Sequence, residues 1–497
     1  MVDVKKKIEC EVLVVGGGNA GLVAAIEAKN CGADILMIEK SPRKSRGGNS
    51  RLSGGLFRIA YPNGTKDLEP LFEGTKLPKG EIELEPYSKD DFYNKVIKLS
   101  EGFSDRQFTE IFVEKSLETV KWMKDQGVMW DLNPNYMAEK DDKLFWPAGT
   151  TNLVANGAGE GLVEMLYGIV ERYGIEVLYD TAARELLVDA DGKVCGVIAK
   201  GNEGFMRIES KSVILTCGGF QANPAMRRSY LGTNWDLVKL RGTRYNTGDG
   251  LKMAAAVGAQ TAGHFGGCHA SVVSEDSPMI EANRAGCERY SYTYGIMVNQ
   301  NGERFVDEGE DFIVFTYAKY GKEILRQPGS VAYQIYDAKT IPLLRPEYQD
   351  AERAESDSLE ELAEELDIGV DAFLKTVEEF NAAIDETNPF VTYKTDERRT
   401  NGLNPDKTNW AQSIDMPPYH AYAVVCGLTM TYGGLKTNEK TQVIDSSDHQ
   451  VPGLYAVGEI TGGFFYHNYP SATGLTRGAV MGRIAGSEAT TYSKGRD

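Results

Sequence analysis

The sequence predicts an α/β fold in which a parallel sheet is interrupted by an inserted α+β segment. Three observations lead to this prediction. A strand, a glycine-rich loop, a helix and a second strand follow one another between residues 10 and 41. Strands that run into glycine return at 212–220 and 451–463, and short strands alternate with acidic helices between about 264 and 390. We therefore expect a first part at 1–263, an insertion at 264–390 and a return to the first fold at 391–497.

The chain has 497 residues, which is too long for one simple core, and an ordinary globular composition. Its net charge of −18 argues against a nucleic-acid or anionic-membrane partner, because both require a basic surface. No stretch approaches the roughly 18 apolar residues that span a membrane, and the N-terminal segment lacks the features of a signal peptide. The 7 cysteines are scattered without a C-x-x-C pair, which predicts no metal site and a cytoplasmic location.

Residues 10–41, CEVLVVGGGNAGLVAAIEAKNCGADILMIEKS, have the order of a dinucleotide-binding unit. An apolar run leads into G-x-G-x-x-G, an alanine-rich helix follows, and a second apolar run ends at Glu39. The first glycine permits a tight turn, the second lets the backbone approach a pyrophosphate, and the third lets helix and strand pack closely. Glu39 is placed to accept hydrogen bonds from a ribose diol. The residues expected at the ligand are Gly16, Gly18, Asn19, Ala20, Gly21, Glu39, Lys40 and Ser41.

The next segment, EKSPRKSRGGNSRLSGG at 39–55, resembles the fumarate reductase and succinate dehydrogenase flavoprotein superfamily, which carries G-G-N-[ST]-x-x-[SA]-x-G after the ribose acid. SVILTCGGF at 212–220, TGDGLKMAAAVGA at 247–259 and VPGLYAVGEITGG at 451–463 resemble the same family. The resemblance covers nearly the whole chain and implies a Rossmann-like FAD-binding domain with an inserted capping domain. The further FAD contacts that it implies are Gly48, Asn49, Ser50, Ser53, Gly54, Gly55, Gly218, Gly219, Thr247, Asp249, Gly250, Gly458 and Glu459.

The resemblance also implies how the cofactor is held and reduced. Complex II enzymes attach FAD to a histidine near the GGNS loop, and residues 49–53 contain none, so the FAD is expected to be non-covalent. In the family, Glu459 would bind the ribityl hydroxyls. The sequence shows no second G-x-G-x-x-G unit and no haem motif, so NAD(P)H or another external donor is expected to supply electrons.

The predicted substrate side differs from that of the family's fumarate reductases. GERFVDEGEDF at 302–312 keeps Arg304 but has Phe312 where those enzymes carry the arginine that donates a proton. Tyr469 replaces the arginine that clamps a carboxylate, and Met430 replaces a histidine. A phenol cannot replace a bidentate guanidinium, and an unpaired dicarboxylate is costly to bury. The sequence therefore favours a neutral, hydrophobic substrate such as an enone, a steroid or a polyphenol of isoflavonoid type.

Tyr469 is also the first candidate for catalysis. HNYPSATG at 467–474 resembles the T-Y-P-G-x-G segment of ketosteroid dehydrogenases, in which the tyrosine polarises the ketone. Gly474, Leu475 and Thr476 would begin a helix whose amides face the flavin C2 carbonyl and stabilise negative charge on the reduced ring. The other candidates for a proton donor or a substrate contact are Tyr294, Tyr317, Asp311 and His467.

Local patterns predict the remaining elements. Apolar residues at helical spacing predict helices over 105–128 and 160–174, and DADGK marks a hairpin turn. Residues 56–104 are rich in proline, glycine and charge and predict an irregular segment. Tyr290, Tyr292 and Tyr294 alternate in RYSYTYG and are expected on one face of a strand, either as a packed face or as an aromatic wall for the substrate.

These observations leave two classes of function. The first is an FAD-dependent oxidoreductase that acts on CH–CH or conjugated C=C groups, more as a reductase than as a dehydrogenase. Its runner-up resembles tricarballylate dehydrogenase or fumarate reductase and uses a relocated Arg241, Arg244 or Arg477 for a carboxylate. The second class is an electron-transferring flavoprotein subunit of a larger complex. The expected partners are a small-molecule substrate and an external electron donor or acceptor.

Overall fold

The computed structural model describes residues 4–150 and 152–495. The chain forms two compact units: the first runs to Gly232 and continues over Thr243–Cys268 and from Met430 onward, and the second comprises Thr233–Gly242 and His269–Thr429. The α-helices are α1 Asn19–Asn30, α2 Gly48–Arg51, α3 Thr65–Leu68, α4 Lys89–Leu99, α5 Arg106–Gln126, α6 Ala158–Arg172, α7 Pro224–Tyr230, α8 Asp249–Ala256, α9 Tyr320–Leu325, α10 Leu359–Glu365, α11 Val370–Ala382 and α12 Thr473–Ser493.

The strands belong to sheets of two to eight members. They are β1 Val4–Val15, β2 Ile35–Ile38, β3 Leu56–Phe57, β4 Ile82–Leu84, β5 Trp130–Leu132, β6 Ala138–Lys140, β7 Lys143–Trp146, β8 Leu153–Ala155, β9 Glu176–Leu178, β10 Ala182–Val188, β11 Val194–Gly201, β12 Gly204–Leu215, β13 Lys239–Leu240, β14 Thr261–Ala262, β15 Cys268–Ser274, β16 Ile296–Val298, β17 Val331–Tyr336, β18 Ala354–Ser356, β19 Tyr419–Thr431, β20 Gly434–Leu435, β21 Gln442–Ile444 and β22 Gln450–Ala456.

An eight-stranded sheet forms the centre of the first unit, in the order β10–β11–β12–β1–β2–β9, with β22 on β12 and β21 on β22. The pairs β1–β12, β1–β2, β2–β9 and β12–β22 are parallel. In this register Val15 lies beside both Ile38 and Leu215. Because parallel strands end at one edge of a sheet, the loops that follow β1, β2, β12 and β22 lie together. The predicted α/β fold is confirmed.

Helices α1 and α12 pack against each other beside this sheet at very short distance. A Cβ atom at Gly482 would lie 2.7 Å from the carbonyl oxygen of Ala20, and one at Gly486 would lie 2.4 Å from that of Ala24. Only glycine permits this approach. The close contact fixes the start of α12 relative to the glycine loop that opens α1.

The local predictions are confirmed in the first unit with one exception. Helices α5 and α6 correspond to those expected, and Gly127 ends α5 with φ of 118°. The DADGK turn joins β10 to β11. The irregular segment expected at 56–104 is wrong in part, because α4 forms there. Ser88 caps its first turn through the N–H of Asp91, and Phe92 and Val96 bury one face.

The second unit is built on a six-stranded sheet in the order β13–β19–β17–β16, with β15 and β18 also paired to β19. Ile335 of β17 lies opposite Ala421 and Ile296 on its two neighbours. Leu362 of α10 and Phe373 of α11 are buried against this sheet, so the acidic helices turn an apolar face inward.

The strand expected through Tyr290, Tyr292 and Tyr294 is wrong. A short 3-10 helix runs over Ser291–Tyr294, and the strand begins only at Ile296. The N–H of Ser291 donates to the hydroxyl of Tyr348 over 2.9 Å instead of to a neighbouring strand. Tyr290 and Tyr292 pack in one buried cluster and Tyr294 packs against another, so the three tyrosines do not form one wall.

Among the residues that the structure describes, no helix combines the length and the apolar character needed to cross a membrane.

Candidate functional site

The carboxyl edge of the large sheet is organised by the carboxylate of Glu39. Its Oε2 accepts the N–H of Gly17 and its Oε1 accepts the N–H of Ser41, each over 2.7 Å. Gly16 has φ of 113°, and a Cβ atom there would lie 2.7 Å from the carbonyl oxygen of Thr216. A Cβ at Gly21 would lie 2.1 Å from the carbonyl oxygen of Gly16. The glycines therefore bring β1, α1 and β12 together, and Glu39 holds the loop between them.

The start of α1 is tied to two other predicted segments. The N–H of Asn19 donates to Ser50 Oγ over 3.0 Å, and Asn19 Nδ2 donates to the carbonyl oxygen of Leu475 over 2.8 Å. The hydroxyl of Ser53 donates to the carbonyl oxygen of Ser50, and Asn49 Oδ1 accepts the N–H of Thr243 over 2.8 Å. Segments far apart in sequence thus meet at one helix N-terminus, which is a favourable place for a phosphate.

Lys40 joins the end of β2 to the start of α8. Its Nζ donates to Thr247 Oγ1 over 2.5 Å and to Asp249 Oδ2 over 2.8 Å. Burial opposes ionisation of Asp249, but the hydrogen bond and the charge of Lys40, with Thr247, outweigh it and lower the pKa of this carboxyl. Lys40 and Asp249 therefore form an ion pair, and Thr247 accepts a hydrogen bond from the same ammonium group.

Glu459 lies in the turn after β22 and holds three other segments. Its Oε1 accepts the N–H of Thr431 over 3.1 Å, and its Oε2 accepts Gln221 Nε2 over 3.2 Å and Asn246 Nδ2 over 3.3 Å. Burial raises the pKa of Glu459 to about 7, although these hydrogen bonds and the charge of Arg477 oppose the rise. The carboxyl therefore changes its charge near neutral pH.

The other predicted glycines separate into packed and open positions. A Cβ at Gly219 would lie 2.5 Å from Glu459 Oε1, and one at Gly250 would lie 2.5 Å from Ile460 Cδ1. Packing is equally close, at 3.0 Å or less, for Gly55, Gly218 and Gly458. Added atoms would meet nothing within 3.4 Å at Gly18, Gly48 and Gly54.

This group of loops fits a nucleotide cofactor. A Cβ atom at Gly48 would meet nothing within 4 Å, and one at Gly18 would meet only Ser50 Oγ at 3.6 Å and the Gly47 carbonyl oxygen at 3.7 Å, so a ligand can approach both backbones. Asn19 Oδ1, Ser41 Oγ and Gln221 Oε1 are buried and have no hydrogen-bond partner within the described parts of the chain. Buried polar atoms are normally paired, so these three are suited to a polar ligand. Bound FAD would supply hydride transfer here.

Tyr469 lies just before the N-terminus of α12. It is only 8% exposed, and its hydroxyl oxygen accepts the N–H of Gly474 over 2.9 Å. Ala472 precedes the helix with φ of 67°, and Thr476 Oγ1 donates to its carbonyl oxygen. Burial raises the pKa of Tyr469, while the Gly474 N–H and the charges of two arginines oppose this rise. Tyr469 is therefore a neutral phenol at pH 7 whose conjugate base is partly stabilised in advance.

Arg58 is a buried residue of this region that the sequence did not single out. It is 1% exposed, donates from Nε to the carbonyl oxygen of Ser471 over 2.8 Å, and also donates to the carbonyl oxygen of Gly149. Its charge is one of those that act on Tyr469. Local sequence carries no signal for this role, because Arg58 and Ser471 are 413 residues apart.

His467 lies in a cluster of aromatic rings. Its backbone has φ of 54°, and its N–H donates to His264 Nδ1 over 3.3 Å. Tyr466 stacks on both Phe103 and His264, with ring centroids 5.6 and 6.0 Å apart. A non-glycine residue in the left-handed region is uncommon and is often found at functional sites.

The second unit contains a separate buried polar group around Tyr317. Its ring lies 5.0 Å from that of Tyr290 and 4.9 Å from that of His269. Ser271 Oγ lies 3.2 Å from His269 Nδ1. Burial, with the charge of Arg241, lowers the pKa of His269 to about 3, so the imidazole is neutral at physiological pH. His269 was not among the residues predicted from the sequence, because the complete burial of its strand, β15, is visible only in the structure.

Arg241 belongs to the same buried group. Its Nη2 donates to Glu288 Oε1 over 2.6 Å, and the two side chains are 13% and 20% exposed. Burial works against both charges, yet the pKa of Glu288 is lowered because the attraction of Arg241 exceeds that cost. The pKa of Arg241 is raised well above its ordinary value. The pair is therefore ionised and mutually neutralising.

The remaining catalytic candidates lie elsewhere in the second unit. Tyr294 packs toward Phe390, with ring centroids 6.3 Å apart. Asp311 Oδ1 accepts the N–H of Phe312 over 2.7 Å at the start of a turn. The structure thus places Tyr317 beside two titratable groups, His269 and Tyr290. The described residues contain no group of three or more His, Cys, Asp and Glu side chains suited to a metal ion.

Comparison with known proteins agrees with this geometry. A family model described as an FAD binding domain matches residues 11–475. The probable fumarate reductase Ifc3 of Shewanella frigidimarina is 28% identical over 97% of this chain and 75% of its own length. Vinyl phenol reductase of Lactiplantibacillus plantarum is 26% identical over 97% of both chains.

A solved structure shares the fold. The 3-ketosteroid Δ1-dehydrogenase of Sterolibacterium denitrificans, in complex with 1,4-androstadiene-3,17-dione, superposes with a TM-score of 0.74 at 19% identity over 97% of this chain and 99% of its own. The resemblance predicted from the sequence motifs is confirmed. The chain belongs to the FAD binding domain family and is an FAD-dependent oxidoreductase of the fumarate reductase superfamily, whose members act on CH–CH or conjugated C=C groups.

Proposed function

We propose that this chain is a reductase that saturates a conjugated C=C bond in a neutral, flat substrate such as an enone, a steroid or a phenolic compound. NAD(P)H or another external donor supplies the electrons. The main support for this proposal comes from the interactions of the three arginines that could bind a substrate carboxylate. Arg241 is neutralised by Glu288, Arg477 donates to the carbonyl oxygen of Gly458, and Arg244 is exposed.

The energetics support a neutral substrate. A carboxylate is bound well by a guanidinium that offers two parallel N–H groups in a dry site. Arg241 could do so only by giving up Glu288, which would leave a buried carboxylate unpaired, typically at about 3–5 kcal/mol. Tyr469 offers a phenol in place of a guanidinium and cannot balance a charge. An enone or phenol carries no charge and avoids these costs.

Tyr469 is our candidate for the proton donor. Burial raises its pKa, so the phenol keeps its proton at neutral pH. The N–H of Gly474 donates to the same oxygen and stabilises the phenolate that remains after proton transfer. This pairing places the tyrosine at the positive end of α12. A role as proton donor or substrate contact stays a prediction for Tyr317, Tyr294, Asp311 and His467.

The relatives support both the chemistry and its range. The proteins compared above are named for the reduction of fumarate, a dicarboxylate, and of vinyl phenol, a neutral aryl alkene. Relatives of this chain are therefore named for the reduction of both charged and neutral alkenes. We infer that the charged side chains around each substrate site determine which class is reduced. The phenol at Tyr469 favours the neutral class.

Matched esters and acids test this proposal. The flavin is reduced with dithionite under anaerobic conditions and mixed with methyl cinnamate or cinnamate, and with dimethyl fumarate or fumarate. Rates are normalised to those of free reduced FAD, because esters are intrinsically more reactive. We expect each ester to be reduced at least tenfold faster than its acid after this correction. Faster reduction of the acids would instead establish the carboxylate enzyme, with a basic residue that we have misassigned.

Three related predictions accompany this function. FAD is expected to be non-covalent, so acid precipitation releases it from the protein. The segment 264–390 remains our candidate for a substrate-capping domain between 1–263 and 391–497, and the cytoplasm remains the expected location.

If no small molecule reoxidises the reduced flavin while a partner protein does, the reductase proposal is wrong and the electron-transfer subunit replaces it.

A further inference from the structure

Arg477 is a cation enclosed in the first unit. It lies in the second turn of α12, is 6% exposed, and donates from Nη2 to the carbonyl oxygen of Gly458 over 2.7 Å. Its guanidinium lies 4.8 Å from the ring centroid of Phe465 and 5.4 Å from that of Phe464. Burial lowers the pKa of Arg477 to about 10, against the attraction of Glu459, so the side chain remains charged at neutral pH.

Among the residues that the structure describes, no carboxylate forms a salt bridge with Arg477, although the charge of Glu459 acts on it from farther away. Its Nε is buried and lacks an acceptor within the described ranges. Its Nη2 donates to a carbonyl oxygen, and the ring faces of Phe464 and Phe465 and the more distant charge of Glu459 add to the attraction. A buried cation held in this way costs free energy and is retained only where other contacts stabilise it. This arrangement is unlike that of Arg241, which forms a close ion pair with Glu288.

The Gly458 carbonyl receives three donors. Besides Arg477, the backbone N–H of Thr461 donates to it over 3.1 Å and Thr461 Oγ1 donates over 2.8 Å. Hydrogen bonds to a carbonyl oxygen polarise the whole amide and strengthen its N–H as a donor. That N–H belongs to Glu459, the predicted cofactor residue. Gly458 has φ of 84°, and a Cβ atom there would lie 3.0 Å from the Cβ of Ala20 in the first turn of α1.

We propose that Arg477 is a positioning residue that raises the reduction potential of bound FAD through the Gly458–Glu459 peptide. Reduction adds negative charge to the cofactor, and a fixed cation in a low-dielectric interior stabilises that charge more than it stabilises the oxidised form. This inference rests on the proposed cofactor role of Gly458 and Glu459 and removes Arg477 from the substrate-binding candidates. It is independent of whether the substrate is neutral or charged.

The test uses the full-length holoprotein and no substrate. Arg477→Met removes the charge and keeps a long apolar side chain. The matched control is Arg483→Met on the same helix, because Arg483 pairs with Glu118 over 3.0 Å and lies over the Trp122 ring. The flavin potential is measured by anaerobic equilibration with reference dyes, and the dissociation constant of oxidised FAD is measured on the same samples.

We expect Arg477→Met to weaken the binding of reduced FAD at least tenfold more than the binding of oxidised FAD. This difference lowers the two-electron potential by about 30 mV. Arg483→Met should leave the potential unchanged. Equal weakening of the two redox forms, or an unchanged potential, would overturn the proposal and assign Arg477 a packing role. Arg477→Lys covers a folding failure of the Met variant, because it keeps the charge and should keep the potential. If the flavin potential of Arg477→Lys fell by the roughly 30 mV expected for complete loss of the charge, that result would equally contradict the inference.

Discussion

Replacement of Glu39 by glutamine tests how the nucleotide loop is built. The Glu39 carboxylate accepts two backbone N–H groups, from Gly17 and Ser41, each over 2.7 Å. A hydrogen bond to a charged group contributes about 1.5–3 kcal/mol. A glutamine amide can keep one of these bonds, but its NH2 group then faces the second N–H, which stays buried and unpaired. We therefore expect the free energy of unfolding of the FAD-free protein to fall by about 2–3 kcal/mol.

Urea unfolding of the FAD-free variant measures this change, and FAD titration measures the ligand contact. Glu11→Gln is the matched control, because Glu11 Oε2 also accepts a backbone N–H, from Asp34 over 3.0 Å, but lies outside the cradle. Its side chain is 30% exposed, so its loss should cost about 1 kcal/mol or less. Unchanged stability of Glu39→Gln would refute the loop-holding role. Unchanged FAD affinity in that variant would refute the ribose contact.

Three further changes have defined outcomes. Tyr469→Phe should lower steady-state turnover at least tenfold while the flavin absorbance is unchanged, since the proton donor is lost; an unaffected rate would remove Tyr469 from the site. Burial raises the pKa of Glu459 from 4.5 to about 7, so the folded chain binds this proton more tightly than the unfolded chain does. The free energy of unfolding of the FAD-free protein should therefore fall as the pH rises from 4.5 to about 7, by at most about 3 kcal/mol. Glu459→Gln should remove that decline in urea titrations, and an identical pH profile would contradict the assignment. Arg241→Met should destabilise the protein by about 3–5 kcal/mol by leaving Glu288 unpaired, and adding Glu288→Leu should recover most of this loss in thermal melts; no recovery would contradict the pair.

The nucleotide loop was predictable because its chemistry is local. The spacing of Gly16, Gly18 and Gly21 between two apolar runs requires one backbone path, and the structure follows that path. Glu39 directly follows the second strand, Ile35–Ile38, as the motif's spacing predicts. Helix α12 was also predictable, since small residues follow an aromatic segment at its start. In each case a few consecutive residues determine the geometry.

Long-range pairing was not predictable from one sequence. Glu459 meets Gln221 across 238 residues and Asn246 across 213, and no periodicity reports such contacts. The pairing of Arg241 with Glu288 likewise depends on the sheet of the second unit. A strand was predicted at Tyr290–Tyr294 because the alternating tyrosines have the period of two that is typical of strands, but this prediction is wrong. A hydroxyl from Tyr348 instead holds the backbone in a 3-10 turn.

We propose above that the reduced flavin of this protein reacts with a neutral conjugated C=C bond. The most direct measurement is the anaerobic rate at which the reduced protein is reoxidised by a cyclic enone, a steroid enone and 4-vinylphenol, compared with fumarate and aconitate at equal concentration. We expect rapid reoxidation by one or more of the neutral compounds, with formation of the saturated product, and slow reoxidation by the carboxylates. Rapid reoxidation by fumarate or aconitate, with no reaction of the neutral compounds, would contradict it.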